Sequence, residues 1–443
     1  MPTPLEIYLV TFNCARSFID PALLGPSLFQ AWPRDRASLP DVVAFSLQEV
    51  APIAYSFLGP GWIDAYLRRI EESVAVASSS KGVAYAKVAV HNVGMTAAMV
   101  FVKSELSSTV TSVETAGVGV GWLAMGNKGG VGIRLTVGGA ELTFVAMHLA
   151  PMEGMVLRRN QDWQDICRGL VFDGDAKAAS RGTEREPLLL AGAGRPASGL
   201  YKPKNHIFLF GDLNYRTSHL SPAPLAYKTF PQPASPSDSP SDRVPLPDLL
   251  ARDQLTQERL EGRVLHGFSE APITFPPTYK YSHVRSSQPG PQAAKAGSPA
   301  AEGDSDAATA AAVVQEPSTW TWARHRWPSW CDRILFYPPV GITPGMYTAL
   351  PLLPSSDHRP VALHVTLDPK TQEEVVPNDL RITPPFELDQ QWRARRAAAR
   401  RYELAVGVAS WIALTGEGNM TVACLLGGAL SLYFLLRLYG QGT

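Results

Sequence analysis

The sequence of 443 residues predicts an α/β fold with a large β component. Three observations support this class. Short apolar runs rich in β-branched and aromatic residues recur along the chain, as in strands, and longer amphipathic stretches typical of helices separate several of them. In addition, four of the predicted strands end on a polar residue, which is where open α/β sheets place their ligands.

The predicted strands are Leu5–Asn13, Val42–Glu49, Ala97–Val102, Val131–Val137, Leu142–His148, Ile207–Asp212, Arg333–Phe336 and Val361–Thr366. Helices are predicted at Trp62–Val76, around Met155–Leu170 and at Leu246–Leu260. The polar residues at four of these strand ends are Asn13, Glu49, His148 and Asp212.

Three segments rich in proline and small residues interrupt this pattern, at residues 174–204, 231–247 and 288–317. Their composition is typical of flexible surface insertions and not of separate folding units. The sequence therefore predicts one domain over residues 1–368, enlarged by these insertions, followed by a basic linker over residues 369–403.

Composition excludes several classes of protein. The 40 Lys and Arg residues balance 40 Asp and Glu residues, which excludes a globally basic nucleic-acid coat protein and an acidic disordered chain. The four cysteines are scattered, which argues against a disulfide scaffold and a structural zinc site and favours a reducing compartment. The N-terminus lacks a basic n-region, so no secretory signal is expected.

The C-terminal end is predicted to be a membrane anchor over residues 404–436. Met420–Leu436 contains seventeen residues without a charge, and Leu404–Thr415 is a shorter apolar run before it. An arginine cluster at residues 393–401 places the preceding domain on the cytoplasmic side by the positive-inside rule.

Three arrangements of this end remain open. In one, Met420–Leu436 spans the bilayer alone and Leu404–Thr415 lies at the interface; in another, the two runs form a shallow helical hairpin. The alternative to anchoring is a buried C-terminal helix pair. The short span favours a thin bilayer such as the endoplasmic reticulum or another endomembrane.

The string from Phe210 to Arg216 is the first candidate for chemistry. Asp212 and Asn214 leave the same face at the end of an apolar strand, where Asp can orient or deprotonate a water and Asn can donate to a phosphoryl oxygen. Glu49 could be a carboxylate ligand of Mg²⁺. Taken alone, these residues also fit an Asx turn and a solvated strand end.

Two further positions carry groups suited to acid–base chemistry. His148 ends a strand, and Asp357 and His358 stand together in a loop before the strand Val361–Thr366. Histidine titrates near neutral pH, and a carboxylate beside it fixes its tautomer. Separately, Asn13 could be a turn residue, His148 a buried core histidine, and the Asp357–His358 pair part of an ordinary polar turn.

Together these residues resemble the exonuclease–endonuclease–phosphatase superfamily. The ordered set is Asn13, Gln48-Glu49, His148, Gly211 to Asn214 and Ser356 to His358. Three further strings are similar to those of the inositol polyphosphate 5-phosphatases: Met125 to Val131, Phe275 to Tyr281, and Pro328 to Leu335. The resemblance covers about residues 5–366 and implies a two-sheet β-sandwich flanked by helices.

The resemblance implies a role for each matching residue. Glu49 would ligate Mg²⁺ with Asn13 beside it and Asp357 near the metal, while Asp212 would orient or deprotonate the attacking water. Asn214 and His148 would contact the phosphoryl group. His358 would be the second catalytic group, oriented by Asp332, and the sequence leaves open whether Asp212 or His358 is the general base.

The resemblance also implies the substrate contacts. A 5-phosphatase must hold a neighbouring ring phosphate, which requires fixed cations near the catalytic centre. The residues implied are Tyr279, Lys280, Arg324, Arg326, Asn127 and Lys128. Arg324 replaces the lysine usual in the family, and Pro151 and the insertion between Tyr281 and Trp320 are further departures.

The leading hypothesis is a Mg²⁺-dependent phosphoinositide 5-phosphatase at a cytosolic membrane face. Its expected substrate is phosphatidylinositol 4,5-bisphosphate, with the 3,4,5-trisphosphate and soluble inositol polyphosphates as alternatives. A metal-dependent nuclease on the same fold would need a broad basic surface, which a neutral chain does not favour, and no nucleic-acid partner is expected. A catalytically silent membrane-tethered phosphoinositide-binding protein is the third hypothesis.

Overall fold

The computed structural model describes residues 4–172 apart from 35 and 37, then 197–231, 244–282, 321–368 apart from 339, and 378–440. Most of each of the three proline-rich insertions lies outside these residues. The described chain contains two mixed β-sheets that face each other, with helices on their outer sides.

The first sheet has six strands in the order β12-β13-β1-β2-β4-β3. Their bounds are β1 Leu5–Asn13, β2 Val42–Gln48, β3 Tyr85–Val93, β4 Thr96–Lys103, β12 Ile342–Ala349 and β13 Val361–Leu367. β1 and β2 are parallel, whereas every other pair in this sheet is antiparallel. β1, β2 and β4 are almost fully buried, as expected for central strands that read as continuous apolar runs.

The second sheet has five strands in the order β11-β8-β7-β6-β5. Their bounds are β5 Val110–Gly119, β6 Gly129–Val137, β7 Ala140–His148, β8 Asn205–Asp212 and β11 Asp332–Tyr337. Only β7 and β8 are parallel. A separate two-stranded ribbon pairs β9 Tyr281–Ser282 with β10 Thr321–Trp322.

Helices cover the outer faces of both sheets. Their bounds are α1 Pro21–Leu28, α2 Ile53–Ser56, α3 Pro60–Ser79, α4 Val156–Gly169, α5 Leu246–Leu250, α6 Gln254–Leu260, α7 Trp392–Leu414 and α8 Gly416–Gly440. α1 and α3 pack on the first sheet, and α4 packs on the second. The predicted helix over 246–260 is therefore two helices, because Asp253 caps the start of α6 by accepting from the Thr256 amide.

The main core fills the space between the sheets. Inward side chains such as Leu9 and Val100 from the first sheet meet Phe144 and Phe208 from the second, whose rings stack with centroids 5.4 Å apart. Ser46 on β2 donates to the Phe210 carbonyl on β8 at 2.6 Å and so links the two sheets directly. The two-sheet sandwich implied by the family resemblance is confirmed.

All eight predicted strands are present, with ends shifted by no more than two residues. β3, β5 and β12 were not predicted from the sequence; each is an outer strand of its sheet and has several residues that are not fully buried. Partial exposure mixes polar residues into these strands, so their apolar pattern is weaker.

The tail begins as part of the folded domain. α7 crosses the predicted boundary between the linker at 369–403 and the anchor at 404–436, so no break in structure occurs there. Its inner face contacts α2, where a Cβ on Gly407 would lie 3.0 Å from Phe57 Cβ. α8 follows after Thr415 and is exposed along most of its described length.

Candidate active site

Strand pairing brings the predicted site residues to one edge of the sandwich. Parallel pairing aligns Asn13 with Gln48 in the first sheet and His148 with Asp212 in the second. Antiparallel pairing then places Asp332, at the start of β11, opposite Asp212. Because parallel strands end at the same edge, polar groups far apart in sequence converge there.

Asp212 lies at the centre of this cluster. Its Oδ2 accepts a hydrogen bond from Asn13 Nδ2 at 3.0 Å and lies 3.3 Å from His148 Nε2. Its Oδ1 accepts from the Asn214 amide at 3.1 Å. Burial alone would raise the pKa of this carboxyl, but His358, His148 and Lys128 outweigh burial and hold the pKa well below its usual range.

His358 is the second group directed at this position. Its Nε2 lies 3.9 Å from Asp212 Oδ2, and its Nδ1 lies 2.9 Å from Asp332 Oδ2. Thr278 Oγ1 donates to the same Asp332 oxygen at 2.6 Å. Burial opposes protonation of His358, but Asp332, Asp212 and Asp357 outweigh it and raise its pKa to about 9.

His148 differs from His358 in its electrostatic surroundings. Lys128 Nζ contacts His148 Nε2, so the loop lysine predicted at the substrate rim lies against a catalytic candidate. Burial, followed by the charge of Lys128, lowers the pKa of His148, although Asp212 and Glu49 act in the opposite direction. The site therefore combines a neutral histidine, an ionised carboxylate and a cationic histidine.

Tyr279 and Lys280 pack beside the second histidine. The centroids of the Tyr279 and His358 rings are 4.5 Å apart. The guanidinium carbon of Arg216 lies 4.3 Å from the centroid of the same Tyr279 ring. Lys280 forms an ion pair with Asp357. Asp357, which is predicted to lie near the metal, thus contacts Lys280, which is predicted to bind the substrate.

Asn13 is the last residue of β1, and Glu49 directly follows the neighbouring strand β2 at the same edge. Glu49 pairs with Arg16 at 3.0 Å and keeps 25% of its side chain exposed, while the Asn13 amide oxygen accepts from the Ala15 amide at 3.0 Å. Glu49 has a φ of 47° and Asn214 one of 57°. Left-handed backbone at a non-glycine residue costs free energy and is concentrated at functional sites.

Arg324 and Arg326 lie farther out. Arg324 is exposed and rests over the Tyr227 ring, with 4.6 Å from its guanidinium carbon to the ring centroid. Arg326 Nη1 lies 3.4 Å from Glu153 Oε2, and its Nη2 lies 3.1 Å from Met152 Sδ. Both therefore contact loop residues and neither contacts the Asp212 cluster directly.

Three supporting residues were not identified from the sequence. Arg216 is buried and binds the Asn214 side-chain oxygen, Ser356 Oγ donates to the Asn13 carbonyl at 2.6 Å, and Thr278 holds Asp332. Each lies within a string that the sequence analysis singled out. Their polar side chains within these strings could have marked them as site residues. Their hydrogen-bond partners could not be predicted in the same way where they come from distant segments.

Glu403 on α7 is the fourth residue that was missed. It is fully buried, and its Oε1 accepts from the Gly126 amide at 2.9 Å. Arg396 at 2.8 Å and Arg400 at 3.3 Å neutralise its charge. The predicted basic linker thus supplies a carboxylate that holds the loop carrying Asn127 and Lys128. The Oδ1 atom of Asn127 has no hydrogen-bond partner among the described residues.

The donor set of this edge suits a divalent cation. Ligand atoms of Asp212, Asp332 and His358 lie within 4.8 Å of one another. The Glu49 and Asp357 carboxylates are partly exposed, and each already binds a cationic side chain. Carboxylate oxygens that attract positive charge and remain open to solvent match the ligands that hard divalent ions prefer.

Comparisons with known proteins identify the family of the chain. The family described as Endonuclease/Exonuclease/phosphatase family 2 matches residues 10–301. Phosphatidylinositol 3,4,5-trisphosphate 5-phosphatase 2 of Canis lupus familiaris is 31% identical over 280 residues, which cover 62% of this chain and 18% of that protein. Type II inositol 1,4,5-trisphosphate 5-phosphatase of Mus musculus is 28% identical over 358 residues, covering 78% of this chain and 29% of that protein.

A solved structure with the same fold is the inositol polyphosphate 5-phosphatase domain of SPsynaptojanin, in complex with inositol (1,4)-bisphosphate and a calcium ion. It matches with a TM-score of 0.57 and 21% identity, over 90% of this chain and 93% of that one. The chain spans less than a third of the length of the two curated relatives above. The chain therefore belongs to the endonuclease/exonuclease/phosphatase family 2.

Proposed function

We propose that this protein is a Mg²⁺-dependent phosphoinositide 5-phosphatase that hydrolyses the 5-phosphate of phosphatidylinositol 4,5-bisphosphate. The observation that carries the proposal is the buried Asp212 carboxylate, held between His148 and the His358–Asp332 pair. The names of the relatives, which are 5-phosphatases of inositol phosphates and phosphoinositides, support the reaction class.

The charges of the three central groups suggest how they share the reaction. Hydrolysis forms a bond from water oxygen to phosphorus and breaks the bond from phosphorus to the ring oxygen. Asp212, ionised by its surroundings, orients the attacking water and accepts its proton. His358, protonated by its carboxylate neighbours, gives its proton to the leaving ring oxygen, while His148 and Asn214 contact the phosphoryl group.

We assign the metal to Glu49, with Asn13 beside it and Asp357 nearby. The ion pairs that Glu49 and Asp357 form with Arg16 and Lys280 support this assignment, because the same carboxylates can exchange a cationic side chain for a cation. When bound, the ion would neutralise charge on the phosphoryl oxygens.

Substrate recognition is assigned to the cations around the cluster. Lys280, beside Tyr279 and Asp357, is suited to the neighbouring ring phosphate, and Lys128 to a phosphate close to His148. Asn127, on the same loop as Lys128, is assigned to the substrate rim. Arg324 and Arg326 stand on the outer loop as further phosphate contacts, where a guanidinium can bind two oxygens at once.

The membrane is assigned as the place of action. α8 contains one segment, Gly416–Arg437, that is long and apolar enough to span a bilayer, and its most apolar 18-residue window has no buried residue within the described structure. The docking of α7 on α2 favours a single span with Leu404–Thr415 at the interface, because a hairpin would need that run inside the lipid. The arginines of α7 favour a cytosolic catalytic domain. The short uncharged run Met420–Leu436 supports the endoplasmic reticulum or another endomembrane.

Phosphate release from short-chain phosphatidylinositol 4,5-bisphosphate tests the reaction, with Mg²⁺ and after its removal by EDTA. The wild type is expected to release phosphate only with the metal, and Asp212→Ala to lose at least about a thousandfold in kcat. No release by the wild type would disprove the activity. Equal release by wild type and Asp212→Ala would disprove the site.

Carbonate extraction tests the anchor separately. The full chain is expected to stay with membranes after a carbonate wash, whereas a chain ending at residue 390 is expected in the soluble fraction. Complete extraction of the full chain by carbonate would rule out a spanning segment.

A further inference from the structure

A continuous row of aromatic side chains crosses the surface of the catalytic domain. The Trp62 ring lies 6.0 Å from that of Trp411 on α7, and the Phe18 ring stacks on that of Tyr66 at 4.0 Å. Trp62 and Tyr66 are four residues apart on α3, so they lie on the same face of that helix. We call Phe18, Tyr66, Trp62 and Trp411 the aromatic row.

One end of this row lies at the start of the candidate span. Trp411 is in the last turn of α7, and its Nε1 donates to Glu417 Oε2, in the first turn of α8, at 3.5 Å. Burial and the charge of Glu417 both raise the pKa of the Tyr66 phenol. The row therefore begins at the level where α8 leaves the domain.

The other end of the row lies beside the catalytic edge. Phe18 is five residues after Asn13, in the loop whose Arg16 pairs with Glu49. The row thus extends from the base of α8 to the loop that borders the candidate metal site. A surface that binds the whole row would fix the orientation of that site.

The chemistry of the row matches the interfacial layer of a bilayer. Phe18 is 50% exposed and Trp62 is 45% exposed, and neither has a role in the cluster around Asp212. Tryptophan and tyrosine are enriched at membrane interfaces, where an apolar ring and a polar tip both find partners. An exposed apolar stripe at Leu404, Val408 and Ile412 on α7 adjoins the same region.

We propose that the aromatic row lies in the interfacial layer of the membrane that α8 enters and orients the catalytic edge toward that surface. This inference rests on the proposed function, because it assumes that α8 is in a bilayer and that the substrate is a lipid. The bilayer is favoured over a second copy of the chain because the row is continuous with the base of the candidate span.

Activity on two substrates gives the first test. The full chain, reconstituted in vesicles with phosphatidylinositol 4,5-bisphosphate, is compared with the Phe18→Ser/Trp62→Ser double variant. The variant is expected to lose about tenfold in kcat/KM on the vesicle lipid and to stay within about twofold of wild type on a soluble inositol trisphosphate. Leu260→Ser/Ile382→Ser, at residues 83% and 67% exposed, is the matched control and should leave both rates unchanged.

Two results of this assay would overturn the proposal: an equal loss on both substrates, or no loss on the vesicle lipid. A wild type inactive on both substrates would instead refute the proposed function. A second measurement therefore reports on the surface without requiring activity.

That measurement places a polarity-sensitive dye on the surface of the full chain. In a Cys424→Ser background, which removes the exposed cysteine, Trp62→Cys and the control Ile382→Cys are labelled and reconstituted in vesicles. Only the dye at position 62 is expected to shift to shorter wavelength. No shift there, or a shift that depends on the protein-to-lipid ratio and so indicates a second copy, would overturn the proposal.

Discussion

At the residue scale, the reactivity of the site depends on a balance between burial and charge at Asp212. An isolated buried carboxyl would remain protonated, because burial penalises the charged form. His358, His148 and Lys128 reverse this preference and hold the pKa of Asp212 low. In turn, Asp332 and Asp212 raise the pKa of His358 to about 9 against its burial. The ionic state of each group is therefore a property of the cluster.

The hydroxyl of Thr278 is expected to contribute to catalysis through Asp332. Thr278→Val removes its 2.6 Å hydrogen bond to the Asp332 carboxylate, which orients His358. Hydrogen bonds to charged groups contribute about 1.5–3 kcal/mol, so kcat should fall by roughly 10- to 100-fold. Steady-state kinetics on the soluble substrate measures this loss, and Thr278→Ser should restore most of the rate. A serine variant as slow as the valine variant would contradict the role of the hydroxyl.

His206 on β8 is expected to make the fold sensitive to acid. It is buried, its ring nitrogens have no hydrogen-bond partner among the described residues, and burial followed by the charge of Arg381 lowers its pKa to about 4. In the unfolded chain His206 takes up a proton near pH 6.5, whereas in the folded chain it does so only near pH 4. The free energy of unfolding therefore decreases as pH falls from about 6.5 towards 4.

The expected loss from His206 at pH 5 is about 2 kcal/mol. His206→Leu should remove this part of the acid sensitivity, as measured by urea unfolding of the detergent-solubilised chain at pH 7.5 and pH 5. An identical acid loss in wild type and His206→Leu would show that His206 does not cause it.

At the element scale, the site is assembled by strand ends and then secured by segments from other parts of the chain. The parallel pairs β1/β2 and β7/β8 bring their carboxyl ends to one edge. Ser356 ties the loop of His358 to the end of β1. From outside the sandwich, α7 adds Glu403, which holds the amide of Gly126.

Replacing Glu403 is expected to loosen the loop that carries Lys128. Glu403→Ala leaves the buried Gly126 amide without its acceptor and removes the carboxylate that pairs with Arg396 and Arg400. The loss of the acceptor alone costs about 1–3 kcal/mol. We expect kcat/KM to fall about tenfold, with Glu403→Gln intermediate because it retains an acceptor. Tyr402→Ala, an exposed neighbour on α7, is the control. Full activity of Glu403→Ala would show that the loop does not need this contact.

Arg333 is expected to be structural, although it belongs to a string typical of the family. Its guanidinium is buried and binds Asp253 at 2.8 Å and Glu270 at 2.7 Å. Arg333→Leu leaves two buried carboxylates with less positive charge, and loss of one partner of such a network costs about 3–5 kcal/mol. Urea unfolding should show this loss. Arg263→Leu, which breaks a more exposed ion pair with Glu258, should lower stability less than Arg333→Leu does.

At the scale of the whole molecule, the described chain is one sandwich with a tail helix docked on it. Arg400 on α7 donates to the carbonyls of Phe57 at 2.7 Å and Leu58 at 2.9 Å, and Gly407 packs against Phe57. α7 therefore connects the catalytic edge to α8 through direct contacts. The candidate span is attached to the domain by a fixed helix and not by a free linker.

This docking predicts a difference between two truncated chains. A chain that ends at residue 415 keeps α7, whereas a chain that ends at residue 390 loses every contact of Arg400, Glu403 and Gly407. We expect the shorter chain to melt roughly 2–3 °C lower, since about 2 kcal/mol shifts Tm by that amount in a domain of this size. Thermal melts of both chains in the same detergent measure the difference. Equal Tm values would contradict a stabilising role for α7.

The sequence by itself determined the central strands, the strand-end residues and the apolar C-terminal run. This was possible because these features are local. Leu5–Asn13 and Ile207–Asp212 are largely apolar runs that end on a polar group, and a strand that is buried on both faces is recognisable from such a run. The family was also indicated by the combination of Asn13, Glu49, His148, Asp212 and His358.

Only the tertiary structure decided the partners. Asn13 bonds Asp212 across 199 positions, and Gly126 bonds Glu403 across 277, distances over which no local pattern acts. The ionic states of Asp212 and His358 likewise follow from burial beside particular charges, which depends on the packed sandwich. The physical reason is that apolar periodicity is a property of neighbouring residues, whereas hydrogen bonding and electrostatics depend on which distant residues the fold brings together.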